Sequence, residues 1–190
     1  MKTLILVLGL ACACGESKSK SGAEGTQATP GSGPARTSNA ALAAAPLVPV
    51  TAKAGTLEFS LDLPMSLLQP PETGGDYVTW EVQQAWTDTP GFTVQLRPAP
   101  LPAQHTGASE PFGSDAAERA IVRAELLPEG GYLNVDQRKD KKYVMVEVCR
   151  PVPSGRLCCT VQQRASEPIA GFAELVGLAE KVCTSMKPKA

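Results

Sequence analysis

The sequence predicts an α+β domain: an antiparallel sheet of about six strands with two helices packed on it, in the order β-β-β-α-β-β-β-α. Six segments alternate apolar and polar residues with period two, and two others carry apolar residues at helical spacing. Hairpin-length connections join most of the strand segments, which favours antiparallel pairing.

Leu57, Phe59, Leu61 and Leu63 alternate with Glu58, Ser60 and Asp62, and Pro64 stops this first strand. Val78, Trp80 and Val82 alternate with Thr79 and Glu81 in the second. Phe92, Val94 and Leu96 alternate with Thr93 and Gln95 in the third, which ends before Pro98. Residues 98–113 are crowded with prolines and polar breakers and read as a long loop. A helix is expected next. Asp115 and Glu118 have capping-box spacing, and Ala117, Ala120, Ile121, Ala124 and Leu127 fall on one face up to Pro128 and Gly130-Gly131. Three further strands are expected at Tyr132 to Gln137, Lys142 to Cys149 and Arg156 to Gln163. The last element is a helix from Pro168 to Met186 with a stripe of Phe172, Leu175, Val176, Ala179, Val182, Cys183 and Met186. Lys187 and Lys189 suit its negative end, and Pro188 forbids continuation.

This element order resembles the PsbP-like α/β sandwich found in some exported lipoproteins. The resemblance rests on the order of elements, a Pro-terminated first strand and a terminal helix with a Cys near its end, without a specific motif.

Ahead of the domain the chain has a different character. Met1 and Lys2 supply a small positive region, and Thr3 to Ala11 is apolar, about half the length a transmembrane helix needs. A cysteine then stands where signal-peptide cleavage would fall. Ala13-Cys14-Gly15, with Leu10 and Ala11 upstream, resembles the lipobox of bacterial lipoproteins. That resemblance covers about the first fifteen residues and says nothing of the fold. It implies a signal peptide over residues 1–13 and a mature N-terminus at Cys14 that carries diacylglycerol and an acyl chain such as palmitate. Cys12, preceded by Gly9-Leu10-Ala11, is the alternative lipidation site; its own position departs from the family, where Ala, Ser or Thr is commoner. An ordinary signal peptide with incidental cysteines is the plain alternative. Two or three acyl chains hold a protein on a bilayer where one does not. Gly15, in place of an Asp retention residue, favours the outer membrane of the cell envelope.

Residues 15–54 contain 28 Ala, Gly, Ser, Thr or Pro and no aromatic residue. The expected organisation is therefore a lipidated Cys and disordered tether over 14–54, followed by the globular domain over 55–190. As a flexible coil the tether would span roughly 35 Å. The alternative is that part of Leu42 to Val50 packs on the domain as an extra strand.

The whole chain carries 18 basic and 19 acidic residues for a net charge of -1, which excludes a polybasic nucleic-acid binder. Within residues 55–190 the count is 13 basic and 17 acidic, so the basic tip Arg138-Lys139-Asp140-Lys141-Lys142 reads as a charged hairpin turn.

Exported domains meet an oxidising compartment, so Cys149, Cys158, Cys159 and Cys183 are expected in disulfides. Strand alternation selects among three pairings. If Glu147 faces water, Val144, Val146 and Val148 face the core and Cys149 faces out. Thr160 and Gln162 take Cys158 outward, leaving Cys159 inward with Leu157 and Val161. Cys149–Cys158 and Cys159–Cys183 are the expected bridges. A vicinal Cys158–Cys159 bridge requires an awkward ring. A metal site would need thiols that converge, whereas adjacent strand residues point apart.

Chemistry is otherwise sparse. His105 lies in the long loop without a carboxylate or nucleophile at a telling spacing, and the acidic residues form no paired acid/base set. No catalytic residue, cofactor or metal is expected, and the chain is read as non-enzymatic. An enzyme whose residues assemble only in three dimensions is the third reading. Trp86, after Gln83-Gln84-Ala85, is a candidate for a contact surface. The expected function is that of a membrane-tethered envelope lipoprotein whose disulfide-stapled domain supports or recruits an envelope protein. The alternative is a small-ligand or metal-binding envelope receptor that uses the cleft between the sheet and loop 98–113.

Overall fold

The computed structural model describes residues 37–83, 88–98 and 119–189. Among them the chain is mostly strand. Helix α1 (Asn39–Ala44) is followed by β1 (Val48–Ala54), β2 (Leu57–Leu63), a 3-10 turn at Met65–Leu67, β3 (Glu72–Thr73), β4 (Tyr77–Glu81) and β5 (Gly91–Arg97). Then come β6 (Arg119–Leu126), β7 (Tyr132–Arg138), β8 (Tyr143–Val152), β9 (Gly155–Arg164), helix α2 (Phe172–Ser185) and the short β10 (Lys187–Pro188).

The strands form two antiparallel sheets, one in the order β1-β2-β10 and one in the order β3-β4-β5-β9-β8-β7-β6. The expected single α+β sheet of about six strands gives way to a β-sandwich, and the element order that resembles the PsbP-like sandwich is not the one observed. Strand β1 packs on β4 and β5, while α2 packs on β8, β9 and β2. One core results, shared by Phe59, Leu61 and Leu63 of the small sheet, Trp80, Phe92, Val94, Val146 and Val161 of the large one, and Leu175, Leu178 and Val182 of α2.

Two departures account for the change of class. Arg119–Leu126 is a strand, where helical spacing had suggested a helix running to Leu127. The Pro128–Gly131 segment, read as a helix stop, is a hairpin turn: the Leu127 amide donates to the Gly131 carbonyl at 3.1 Å, and β6 pairs with β7 from Arg119↔Arg138 to Leu126↔Tyr132. Seven paired positions along β7 outweigh the intrinsic helical preference of Ala, Leu and Glu, which is worth only tenths of a kcal/mol per residue, and Ile121 and Val122 suit a strand besides. Gly131 is required at this corner. Its φ is +92°, and an added Cβ would lie 2.1 Å from the Cys149 carbonyl oxygen.

The second departure is at the N-terminal boundary. Residues expected in the tether form α1 and β1, so the domain begins no later than Asn39. Ser38 caps α1 by accepting from the Ala41 amide at 3.1 Å. Leu42 is wholly buried, and β1 pairs with β2 along its full length, Val48↔Leu63 to Ala54↔Leu57. The Ala-rich composition hid a segment whose single large anchor is enough to dock it on the core. The Asn39 amide secures it further, donating to Gln163 Oε1 at 3.0 Å and to the Ala170 carbonyl at 2.8 Å.

The terminal helix starts later than expected, at Phe172 after Gly171 in the left-handed conformation. Its buried face is Leu175, Leu178, Ala179, Val182 and Cys183, with Phe172 and Val176 only half-buried. Beyond it Lys187 and Pro188 pair with Ser60 and Phe59, so the residues read as a helix stop instead complete the small sheet.

Candidate functional site

Strand β9 lies between β5 and β8 and carries adjacent cysteines that point to opposite faces of the large sheet. On the core face Cys159 is bonded to Cys183 of α2. On the other face Cys149 and Cys158, directly opposite in the β8–β9 register, are bonded to each other. These are the two pairs that strand alternation selects.

Strand alternation alone sets Glu147 toward water, and with it the Cys149–Cys158 bridge, but the structure does not. Both cysteines are instead 0% exposed and Glu147 is 7% exposed. Burial of the carboxylate is possible because three partners converge on it. Tyr132, opposite Cys149 on β7, donates its hydroxyl to Glu147 Oε1 at 2.8 Å. Arg97, at the end of β5, places Nη2 2.9 Å from Oε2, and the Thr160 hydroxyl lies 3.5 Å from the same oxygen. Cys149, Cys158 and Tyr132 form a small cluster separate from the main core. This face thus consists of a disulfide closed over by a charged and hydrogen-bonded network.

The electrostatics fix the protonation of the phenol. Desolvation, then the negative charge of Glu147 and the hydrogen bond to it, push the Tyr132 pKa well above its ordinary value of 10. Tyr132 therefore remains a neutral donor at neutral pH, and the Glu147 charge is balanced by Arg97. The arrangement holds a geometry, with the carboxylate fixed between a hydroxyl donor and a guanidinium.

A carboxylate oxygen of Glu147 and the two sulfurs of Cys149 and Cys158 lie within 4.8 Å of one another. Such a set has the donor types that hold zinc, but only as thiolates. Here each sulfur is bonded to the other, so a metal-binding set would exist only after two-electron reduction.

Around this site Arg150 links the hairpin turn to the helix, with Nη1 2.7 Å from Glu129 and Nη2 donating to the Thr184 carbonyl at 3.0 Å. Tyr132 and Arg97 were not singled out from the sequence. The available signal was positional: a tyrosine immediately after a Gly-Gly hairpin corner, in register with a cysteine. Cys14, Cys12, His105, Trp86 and the greater part of loop 98–113 lie outside the described residues. Among the described residues no helix is long and apolar enough to cross a membrane. No protein-family model matches the chain, and no curated protein matches it.

Proposed function

We propose that this chain is an exported lipoprotein of a bacterial cell envelope, anchored through acyl chains on Cys14, or alternatively Cys12. Its disulfide-stapled domain serves another envelope protein by contact and carries out no catalysis of its own. The outer membrane is the favoured location, because Gly15 rather than Asp follows Cys14. The observation that carries the reading is the use of all four domain cysteines in two bridges, Cys149–Cys158 and Cys159–Cys183. Paired thiols of this kind belong to oxidising compartments outside the cytoplasm. The apolar stretch ending in two cysteines supports the same address, and the mutually satisfied Tyr132–Glu147–Arg97 network supports a scaffold rather than a reaction centre. The receptor alternative draws on the Glu147–Cys149–Cys158 cluster and requires its bridge to open.

Intact-mass measurement of the chain extracted from membranes tests the proposal. The expected species begins at Cys14 and bears lipid, and four further thiols become alkylatable only after reduction. An unlipidated chain that retains Met1, or replacement of both Cys12 and Cys14 by serine without loss from the membrane fraction, would overturn the anchor. Recovery of the four domain cysteines as free thiols would overturn the oxidising address. A melting shift on addition of zinc alone to the reduced protein, absent from the oxidised protein, would favour the receptor reading.

A further inference from the structure

Strand β6 closes one edge of the seven-stranded sheet, so its outer side has no strand partner among the described residues. At the other edge, β3 has only two residues, whereas β6 has eight. Long open edges template pairing with another chain unless charge, proline or a bulge blunts them. β6 carries two such devices, the charges of Arg123 and Glu125 and a register shift between Ile121 and Arg123 that sets Val122 out of the ladder with β7. Large apolar side chains stand exposed at Val48, Val122 and Leu126, and the two most exposed, at 51% and 77%, are both on this strand.

The order of side chains along β6 is self-complementary. Reading outward from Ala124, Arg123 mirrors Glu125 and Val122 mirrors Leu126. We propose that the chain forms a two-fold dimer in which β6 pairs antiparallel with β6 of a second copy, with the axis at Ala124. Arg123 then faces the partner's Glu125, and Val122 faces the partner's Leu126. Each apolar residue gains an apolar neighbour, and oppositely charged residues stand directly across the strands, the arrangement that stabilises a sheet pair. Within each copy Arg123 already lies 2.5 Å from Glu125 and 2.7 Å from Glu180 of α2, so the pairing builds a square of alternating charge from side chains held in place.

The same pattern rejects neighbouring registers. Moving the axis to Arg123 sets that residue against its own copy, and moving it to Glu125 does the same with two carboxylates. Like charges directly opposite are destabilising. The self-pairing therefore specifies a register as well as a partner. An isologous contact of this kind closes after two copies and does not propagate into a fibre.

Cysteine crosslinking of the full chain in detergent tests the inference. Ala124→Cys is expected to give a reductant-sensitive dimer linked through position 124, whereas Lys181→Cys, on an exposed position of α2, is expected to give none. Glu125→Arg in the Ala124→Cys background should weaken self-association by about tenfold, since it places two like-charged pairs across the axis. Adding Arg123→Glu should restore it, because both pairs re-form with reversed sign. Circular dichroism of each variant separates this effect from misfolding, and Glu125→Arg leaves the Arg123–Glu180 contact in place. A chain that sediments as a monomer while Ala124→Cys fails to crosslink would overturn the proposal. So would crosslinking that is indifferent to Glu125→Arg, or capture of a different protein at position 124 in place of a second copy.

Discussion

Removing the bridge between β9 and α2 isolates what holds the terminal helix to the sheet. In a Cys159→Ala/Cys183→Ala variant, the unfolded chain regains the freedom of a loop whose ends are 24 residues apart, which in the chain-entropy account is about 3.5 kcal/mol. Both sulfurs also leave sites with 1% exposure or less, adding roughly 1 kcal/mol of lost packing. The expected loss is about 4–5 kcal/mol, or roughly 10–15 °C in melting temperature for a domain of this size. Thermal unfolding by circular dichroism under oxidising conditions measures it, and hydrogen exchange should show α2 amides losing protection before those of β8. Reductant offers an internal check. It should lower the variant further only by the other bridge, whose nine-residue separation corresponds to about 2.7 kcal/mol. A variant that melts within about 2 °C of the parent would refute the reasoning, because it would mean that packing alone holds the helix.

Other perturbations probe the remaining features. Arg97→Met should cost about 1–3 kcal/mol by removing a paired cation from the buried Glu147 carboxylate, tempered by the 31% exposure of Arg97. Adding Glu147→Gln should recover part of that loss, and a double-mutant cycle with additive costs would sink the idea of a coupled pair. Leu42→Ala should destabilise the domain by about 2–4 kcal/mol in denaturant unfolding, because this wholly buried side chain anchors α1. No effect there would return residues 39–47 to the tether. The raised pKa of Tyr132 means that its contribution is complete below pH 10, the ordinary tyrosine value, and is lost as pH rises through the higher folded value. Ultraviolet titration should therefore show a late-ionising phase that Tyr132→Phe diminishes by one tyrosine; a late phase left unchanged in amplitude by the substitution would contradict the assignment.

The strands legible from the residues were those with one dry and one polar face. Leu57 to Leu63 and Phe92 to Leu96 alternate cleanly because neither strand is covered by protein on both sides along its whole length. In β8 that premise breaks: residues from Tyr143 through Cys149 are all buried, so face could be read from parity but exposure could not. Register was legible there all the same, which is why the cysteine pairs followed from alternation. Burial of Glu147 was not, because its cation comes from Arg97, fifty positions earlier in the chain, through a contact that only the folded sheet creates. β6 was missed for a related reason. Its Ala, Leu and Glu residues satisfy a helical period as well as a strand, and the β7 ladder decides between them.

The two bridges flank β9 from either side and turn the stretch from Cys149 to Cys183 into two covalent rings that meet at a single peptide bond. A protease that severs the backbone once inside either ring leaves every fragment still attached. The end of β8, all of β9 and the whole of α2 would therefore survive such a nick as one body.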